Sequence, residues 1–532
     1  MRGMEVWKHG GVEAWKHGGM EAWKRGGTEA WKHVRFRLLS SVFCLLSSIF
    51  CLLSSPALAN FEFNANCQAA MQAILDLKTN TARDILQREK AVNPQNGFVI
   101  YLEHYCESIE LIVTEDVKIY EKLIGSYEER LEQMDLLDDG SPYNAWLQAE
   151  MQFHTGLAQV KYGTRFNGVT KMLGSYKRIK EHRKKYPQFW QNQKLTGIFN
   201  ILLDNIPPFL RWAADLFGFN GDSVLGMYQL KEYESKARDF PGLAEEGVMM
   251  INLAYMLTRQ EAEGFQYMSG LDKDILNVTL VKYLCANSAS FAYRNDQTLK
   301  LLAEIHQDEL DVMFAPLLYV TGRSKLNHLE EDAYIYLEGF LEEYAGPDYK
   351  KDVCNRLSYY YLIQGNLQKY EEYKAKVATI GQDMRDRDRE AIAESRSGLI
   401  PHTGLLKARL LCDGGYFIQA DSIIKSIDPG LLSHPAYQLE YYYRKGRIFQ
   451  LTGKATLAID EYNKAFNQGQ SQPYTFATRS ALQLGRIYEE MKNYPLSFQW
   501  YENCLKTYDA DHTTDGVEQM AEKGRKRVKE KF

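Results

Sequence analysis

The C-terminal third of the chain repeats one spacing of small and large residues three times. A small residue opens each copy, and marked positions follow at +3, +7, +12, +16 and +19. These positions are Ala408, Leu411, Gly415, Ala420, Ile424 and Ile427, then Gly446, Phe449, Gly453, Ala458, Tyr462 and Ala465, then Gly485, Tyr488, Lys492, Ser497, Tyr501 and Cys504. Small residues let two helices approach closely, large ones fill the space between them, and the residue at +7 reverses the chain. The spacing therefore predicts stacked pairs of helices.

This spacing is the tetratricopeptide pattern. A weaker copy carries Ser358, Tyr361 and Gly365 at matching offsets, with bulky Tyr370 at the usual alanine position, and residues 317–344 predict another helix pair with a longer turn. Before Asp311 the spacing fades while helical periodicity continues. We predict an all-α, tetratricopeptide-like superhelix, with an N-terminal helical domain of degenerate repeats over 60–309 and C-terminal repeats over 310–532.

Residues 1–34 form an eight-residue repeat that differs from the rest of the chain. Trp7, Trp15, Trp23 and Trp31 lie in register, and Gly-Gly closes the units. Eight residues fit neither the helical period nor a strand pattern. Two interpretations stand: a start codon assigned too early within a tandem DNA repeat, which leaves a disordered or absent segment, or a tryptophan-rich binding tail.

Residues 35–59 have the three parts of a secretory signal peptide. Arg35 and Arg37 are followed by the apolar stretch 38–53 and by Ala-Leu-Ala at 57–59. A basic start, an apolar core and a small-residue cleavage site direct export. We expect cleavage after Ala59 and a secreted, periplasmic protein. An uncleaved N-terminal membrane anchor is the alternative.

The charge balance of the exported chain argues against nucleic-acid binding. Removal of residues 1–59 takes away 8 of 64 Lys and Arg and 4 of 69 Asp and Glu, which leaves a net charge near −9. Binding of nucleic acid requires a basic field. The remaining cysteines are scattered, and a disulfide between Cys67 and Cys106 is left open because the first helices could bring them together.

Sequence motifs of common enzymes are absent. The chain has no phosphate-binding glycine loop, no H-E-x-x-H and no G-x-S-x-G elbow. His104 and Cys106 are two residues apart, so on a helix they face different ways and do not predict a metal site. We predict a protein that is not an enzyme and has no catalytic, cofactor or metal residues.

Three charged stretches have simple structural interpretations. The segment Asp383–Glu390, "DMRDRDRE", alternates charge and predicts a solvated helix start. The basic segment Tyr176–Tyr186 predicts an exposed helix face, and Lys523–Phe532 places cations at a helix C-terminus, where the helix dipole favours them. Contact of either basic segment with anionic lipid or with an envelope polymer is the alternative.

An apolar segment broken by prolines and glycines interrupts the helical pattern near 206–222. Its characteristic residues are Pro207, Pro208, Gly218, Phe219, Gly221, Asp222, Gly226 and Leu230. With these residues, and with the stretches Ser141–Gly163 and Leu405–Phe417, the chain resembles the tetratricopeptide repeat protein 39 family, with its fungal outer-membrane and inclusion-clearance relatives and its secreted bacterial branch. Met227 replaces the usual leucine. The resemblance covers most of 65–510 and implies an all-helical repeat fold without a known reaction.

The local chemistry of this segment predicts an architectural role. Pro207 disfavours helical geometry at Ile206 and ends the preceding helix, and Pro208 can begin a short one. Gly218 suits a helix C-terminus, and Asp222 or Ser223 suits the next N-cap. We expect a short helix that lies across the superhelix, with a ligand-binding role as the alternative.

Stacked helix pairs leave a long concave surface that suits extended ligands. We therefore predict a non-catalytic scaffold that binds a protein or peptide partner in the cell envelope. The alternative is an envelope module that binds lipid or glycan on a tyrosine-rich concave surface, since the chain has 35 tyrosines, whose rings suit half-buried binding faces. No binding residue is singled out.

Overall fold

The protein consists of helices throughout the part that the structure describes. The structure is a computed structural model, and it describes residues 61–137, 140–162, 165–206, 220–383, 385–509 and 516–532. Within these ranges every regular element is a helix and none is a strand. The predicted all-α class is thereby confirmed.

The first half of the described chain contains thirteen α-helices. They are α1 Ala65–Leu75, α2 Thr79–Val92, α3 Gly97–Thr114, α4 Val117–Asp135, α5 Pro142–Lys161, α6 Arg165–Lys185, α7 Asn192–Asp204, α8 Ser223–Ala237, α9 Leu243–Leu257, α10 Glu261–Ser269, α11 Lys273–Asn277, α12 Thr279–Phe291 and α13 Asn295–Ala303.

The second half of the described chain contains twelve more. They are α14 Ala315–Asn327, α15 Ala333–Glu343, α16 Lys350–Ile363, α17 Leu367–Thr379, α18 Asp386–Arg396, α19 Thr403–Gly414, α20 Phe417–Ser426, α21 Pro435–Leu451, α22 Ala455–Gly469, α23 Phe476–Glu490, α24 Tyr494–Lys506 and α25 Val517–Lys529. Short 3₁₀ turns lie at Gln307–Glu309 and Pro429–Leu431.

Most of these helices pack as antiparallel pairs of consecutive members. The pairs are α1/α2, α3/α4, α5/α6, α7/α8, α9/α10, α12/α13, α14/α15, α16/α17, α19/α20, α21/α22 and α23/α24. We refer to the first helix of each pair as its A helix and the second as its B helix. The short α11, the extra helix α18 and the C-terminal α25 lie outside the pairs. This stacking is the tetratricopeptide-like arrangement that the sequence predicted.

Contacts within the pairs follow the predicted offsets. A Cβ atom added to Gly446 would lie 2.8 Å from the ring of Tyr462, and one added to Gly485 would lie 2.7 Å from the ring of Tyr501. The residue at +0 is therefore small because the large residue at +16 packs directly on its backbone. At +12, the Ser497 hydroxyl donates to the Gly485 carbonyl over 2.7 Å.

The turn at +7 uses left-handed backbone in nine pairs. The residue there has a positive φ at Leu77, Glu115, Arg259, Tyr293, Leu329, Gly365, Gly415, Gly453 and Lys492. Seven positions before each of them lies a buried residue: Ala70, Ser108, Asn252, Ala286, Gly322, Ser358, Ala408, Gly446 and Gly485. Left-handed backbone after a helix satisfies the last carbonyls and reverses the chain. The same turn thus occurs on both sides of residue 310.

The pair α7/α8 carries the proline- and glycine-containing insert in its turn. Gly197 and Gly226 meet backbone to backbone, since a Cβ on Gly226 would lie 2.7 Å from the Gly197 carbonyl oxygen. The two are 29 positions apart, whereas the matching residues of the C-terminal repeats are 12 apart, so this turn holds 17 extra residues. The Asp222 carboxylate accepts from the Leu225 amide over 2.9 Å, which confirms the predicted N-cap. Residues 207–219, with both prolines and Gly218, lie outside the described residues.

Successive turns of the superhelix touch, and aspartates from one turn cap helices of another. The Asn80 amide, in the first turn of α2, donates to the Asp311 carboxylate over 2.9 Å, and the Asp311 amide donates to the Leu77 carbonyl over 3.0 Å. In the opposite direction, the Thr279 amide that opens α12 donates to Asp76 over 2.9 Å. A carboxylate at a helix N-terminus satisfies orphan donors and complements the helix dipole.

Two earlier expectations concern the boundaries of the chain. The largest buried hydrophobic cluster extends from Phe61 to Leu410, across the boundary predicted at 309/310, and that division stays a prediction. The octad repeat and the signal peptide, 1–59, lie outside the described residues. Among the helices that the structure does describe, none combines the length and apolarity needed to span a membrane.

The disulfide left open between Cys67 and Cys106 is not formed in this structure, where both residues are buried free thiols.

Candidate binding cleft

An open cleft of about 360 Å³ lies on the inner side of the C-terminal repeats. The A helices of four successive pairs, α16, α19, α21 and α23, each contribute to its lining, and α18 with residues 397–401 closes one side. The charged and aromatic lining residues are Tyr359, Lys374, Glu390, Glu394, Arg409, His434, Tyr437, Glu440, Arg444, Tyr474, Phe476 and Arg479. Its volume is within the range of small-ligand pockets, and it opens along the stack of A helices.

The extra helix α18 packs against both helices of one pair, α16 and α17. Its start is buried: Arg385 is 1% exposed and Asp388 0% exposed. The prediction that Asp383–Glu390 is a solvated helix start is therefore wrong. The physical reason is that the charged side chains of this segment find partners on helices that are distant in sequence, and burial of a charge is tolerated when it is paired.

The N-terminal end of α18 is held by carboxylates. Arg385 donates to Asp348 over 2.6 Å. Asp388 accepts from the backbone amides of Tyr349, over 2.8 Å, and Asp352, over 3.0 Å, at the start of α16. Asp388 is thus a third aspartate that caps a helix from outside it. Burial, followed by the nearby Asp348 carboxylate, raises the pKa of Asp388 well above its ordinary value.

The C-terminal half of α18 presents two glutamates to the floor of the cleft. Glu390 accepts from Arg479 over 2.8 Å, and Glu394 accepts from Arg409 over 2.7 Å. Asn355 also donates to Glu394, over 3.0 Å. Burial raises the pKa of Glu390, but Arg479 and Arg409 outweigh it and bring this pKa to about 2. The floor is therefore a fixed network of ion pairs.

Three aromatic rings of the cleft lining, together with the neighbouring ring of His402, form a row of contacting rings. The His402 and Tyr437 centroids are 5.8 Å apart, those of Tyr437 and His434 are 5.5 Å apart, and those of His434 and Tyr474 are 6.0 Å apart. All four rings are half-buried, so each keeps one part in solvent. We call these four residues the aromatic row. The Tyr437 hydroxyl donates to the Ile400 carbonyl over 2.5 Å, which ties the row to the wall at 397–401.

The side walls of the cleft carry two further cations. Lys374 donates to the Tyr370 hydroxyl over 3.0 Å and to the Leu399 carbonyl over 3.3 Å, and burial lowers its pKa. Arg444 donates to Glu440 through Nε and Nη2, over 3.0 Å each. The walls are therefore rich in hydrogen-bond donors, and the carboxylates of the lining already accept bonds from arginines.

The tyrosine-rich concave surface considered from the sequence corresponds in part to this cleft, through Tyr359, Tyr437 and Tyr474. The other sequence candidates lie elsewhere: Asp222 begins α8, and the two basic segments lie at the end of α6 and in α25. No residue of the cleft was singled out from the sequence. Within the described ranges, no group of three or more His, Cys, Asp or Glu is arranged to hold a metal ion.

A second charged cluster lies in the core of the N-terminal repeats. Lys194 pairs with Glu150 over 2.9 Å and with Glu246 over 3.4 Å, and the Tyr233 hydroxyl donates to Glu246 over 3.1 Å. The Lys194, Glu150 and Glu246 side chains are each at most 1% exposed. Burial raises the pKa of Glu246 to about 8, against the attraction of Lys194. With no solvent access, this cluster is a structural part of the core.

Comparison with known proteins gives little beyond this geometry. No family model matches the chain, and no curated protein matches it. Among solved structures, the chain is similar to the P58(IPK) TPR domain (14% identity, 79% of this chain and 98% of that chain, TM-score 0.19) and to the APC/C hetero-tetramer Cut9–Hcn1 (12%, 88% and 99%, TM-score 0.26). It is also similar to Naa15/Naa10 bound to HypK-THB (13%, 87% and 78%, TM-score 0.22). Scores this low support no conclusion about fold or function.

Proposed function

We propose that this protein is a non-catalytic scaffold that holds an extended segment of a partner polypeptide in the cleft. The observation that carries the proposal is the lining: four successive A helices present aromatic rings and hydrogen-bond donors along one continuous opening. Extended ligands match such surfaces because each repeat contributes contacts to the next stretch of the ligand.

The wider setting proposed for the scaffold is the cell envelope of a bacterium. Its support is the signal-peptide pattern at 35–59 and the resemblance of the insert near 206–222 to the secreted branch of the tetratricopeptide repeat protein 39 family. N-terminal sequencing of the protein from envelope fractions tests this setting. We expect a first residue of Asn60, and octad peptides in the mature protein would contradict it.

Site-specific photo-crosslinking in cells tests the scaffold itself. A photo-reactive amino acid in place of Tyr474, in the lining of the cleft, should yield an adduct with a defined polypeptide. The matched control places it at Ile418, which is 86% exposed on the B helix α20 and is not among the lining residues of the cleft. The proposal fails if both positions give the same adducts, or if Tyr474 gives no polypeptide adduct.

The aromatic row also gives the lipid or glycan alternative a specific basis, since sugar rings stack on tyrosine faces. The same experiment separates the two, because mass spectrometry of the Tyr474 adduct identifies its chemical class. An adduct that consists only of lipid or sugar would replace the scaffold function with the alternative.

A further inference from the structure

The chemistry of the cleft indicates which kind of polypeptide it takes. We infer that the bound segment is proline-rich and lies on the aromatic row as a polyproline II helix. This inference rests on the proposed scaffold function and specifies its ligand. Two observations support this inference. One is the spacing of the four rings, and the other is the abundance of hydrogen-bond donors on the walls of the cleft.

The spacing of the rings matches the rise of polyproline II. This helix advances about 3.1 Å per residue, so two residues cover about 6 Å. Neighbouring centroids in the aromatic row are 5.5, 5.8 and 6.0 Å apart. Successive rings therefore meet the ligand about every two residues, and the row covers at most about six residues. Grooves lined by aromatic rings are the surfaces on which preformed polyproline II segments dock.

Carboxylates and carbonyls on the walls already accept hydrogen bonds from side chains of the cleft. Glu390 and Glu394 accept from arginines, as does Glu440. The carbonyl of Leu399 accepts from Lys374, and the carbonyl of Ile400 accepts from Tyr437. An incoming N–H group has to compete with these bonds, and a buried donor without a partner costs free energy.

Donors, in contrast, are abundant. Lys374 carries three N–H bonds, and its two named acceptors, Tyr370 and Leu399, are uncharged. Arg444 adds a guanidinium group with five N–H bonds. Its Nε and Nη2 nitrogens donate to Glu440. Proline contributes a carbonyl acceptor and no N–H. A proline-rich chain thus uses the donors of the walls without bringing donors that need new acceptors.

Other extended ligands match the hydrogen-bonding groups of the cleft walls less well than a proline-rich chain does. An ordinary extended peptide brings one N–H per residue, and each N–H that is buried against the walls needs an acceptor. A sugar brings hydroxyl groups that donate as well as accept. Proline also has a rigid φ, so it loses less conformational entropy when it is bound.

Titration calorimetry on the full chain tests the inference with defined probes. The probes are a decaproline peptide, a glycine–serine decapeptide of equal length and a chitin tetrasaccharide. Decaproline should bind, and the other two should bind at least tenfold more weakly. Equal binding of the glycine–serine peptide, or tighter binding of the sugar, would overturn the inference.

Variants of the aromatic row locate the binding. Tyr474→Ala should weaken decaproline binding about three- to tenfold, because a single aromatic contact is lost, and Tyr474→Phe should retain it. Tyr228→Ala, at an exposed tyrosine of α8 (64% exposed), is the control and should bind like the wild type. Melting temperatures of the three variants exclude unfolding as the cause. Wild-type affinity in Tyr474→Ala would overturn the inference.

The two proposals fail in different ways. If photo-crosslinking at Tyr474 captures a polypeptide that is not proline-rich and decaproline does not bind, the proline class is wrong and the scaffold stands. If no polypeptide is captured at all, the scaffold function itself is wrong.

Discussion

Buried charges at single positions distinguish this protein from a simple stack of apolar helices. Lys194 lies between Glu150 and Glu246 in the N-terminal core, and Arg385 contacts Asp348 at the buried start of α18. Replacing one member of such a group leaves its partners buried without compensation, which costs more than the group contributes when intact. The protonation state of these residues therefore influences the free energy of unfolding.

Glu246 should make stability depend on pH in a predictable direction. Its pKa is about 8 when folded and 4.5 for an ordinary glutamate, so between these values the folded state holds a proton that the unfolded chain has lost. This contribution is complete below pH 4.5 and is lost as the pH rises toward 8, with a limiting slope of about 1.4 kcal/mol per pH unit.

Denaturant unfolding of wild type and Glu246→Gln at pH 6 and pH 8 measures this slope. The wild type should lose stability relative to the variant as the pH rises, because glutamine does not ionise. Glu128→Gln, at a side chain that is 72% exposed, is the control and should parallel the wild type. Parallel behaviour of Glu246→Gln as well would show that the Glu246 pKa is not raised.

The left-handed turn residues make a second prediction at the residue scale. Lys492 is exposed and has a φ of 59°. This backbone conformation is strained for any residue that has a Cβ atom. Lys492→Gly should stabilise the protein by about 0.5–1 kcal/mol. Gly453, at the equivalent position of the preceding pair, has φ of 75° and open space around it. Gly453→Ala should therefore destabilise by about 1 kcal/mol through the backbone alone.

Chemical unfolding of the two variants checks this pair of predictions. The opposite signs are the decisive observation, because a general sensitivity of the turns would destabilise both variants. Two changes of the same sign would mean that +7 does not require left-handed backbone.

At the scale of elements, close contact between the helices of a pair depends on a glycine where two backbones meet. Gly226 of α8 should not accept a side chain, because an added Cβ would lie 2.7 Å from the Gly197 carbonyl oxygen. Gly226→Ala must separate α7 from α8 and should destabilise by about 1–3 kcal/mol. Gly125 is also helical, in α4, but has nothing within 4 Å of an added Cβ. Gly125→Ala should stabilise by about 0.5–1 kcal/mol through helix propensity.

Thermal unfolding followed by circular dichroism compares the two alanine variants directly. Gly226→Ala should melt below the wild type and Gly125→Ala above it. A wild-type melting temperature for Gly226→Ala would mean that the insert-bearing pair is not packed as closely as described.

Local spacing made the helix pairs predictable. Gly446 with Tyr462 and Gly485 with Tyr501 are linked by offsets within one hairpin, so the sequence contains both halves of each contact. Asp222 was predictable as an N-cap for the same reason, since a cap bonds to an amide three residues away. The fold therefore followed from short-range patterns.

Two features could not be read from the sequence. At +7, Leu77 and Tyr293 take left-handed backbone although neither residue type favours it, because the surrounding turn fixes the conformation. The burial of α18 depends on partners such as Arg409 and Arg479, which are 15 and 89 positions from their glutamates. Alternating charge indicates ion pairing but does not specify the partners, so the sequence predicted neither the burial of α18 nor the cleft beside it.

At the scale of the whole molecule, helix caps connect parts that are far apart in sequence. Asp311 should stabilise α2, because its carboxylate accepts from the Asn80 amide in the first turn of that helix. Asp311→Ala should destabilise by about 0.5–2 kcal/mol, the range for loss of an N-cap. Hydrogen exchange should become faster in the first turn of α2.

Asp308→Ala serves as the matched control, because Asp308 is an exposed aspartate of the same connecting segment. It should leave exchange in α2 unchanged. Equal protection of α2 in both variants would mean that the contact between the two turns of the superhelix contributes nothing to stability.

The cap from Asp311 also imposes an order on the maturation of the chain. The two bonded residues, Asn80 and Asp311, are 231 positions apart. A ribosome adds about 5–20 residues per second, so about 10–50 seconds separate the synthesis of the donor from that of its acceptor. Throughout this interval the first helix pair exists without its final cap, whereas the hairpin contacts of each later pair form within a short stretch of newly made chain. The pair α1/α2, which is synthesised before the other described pairs, is therefore among the last to be completed.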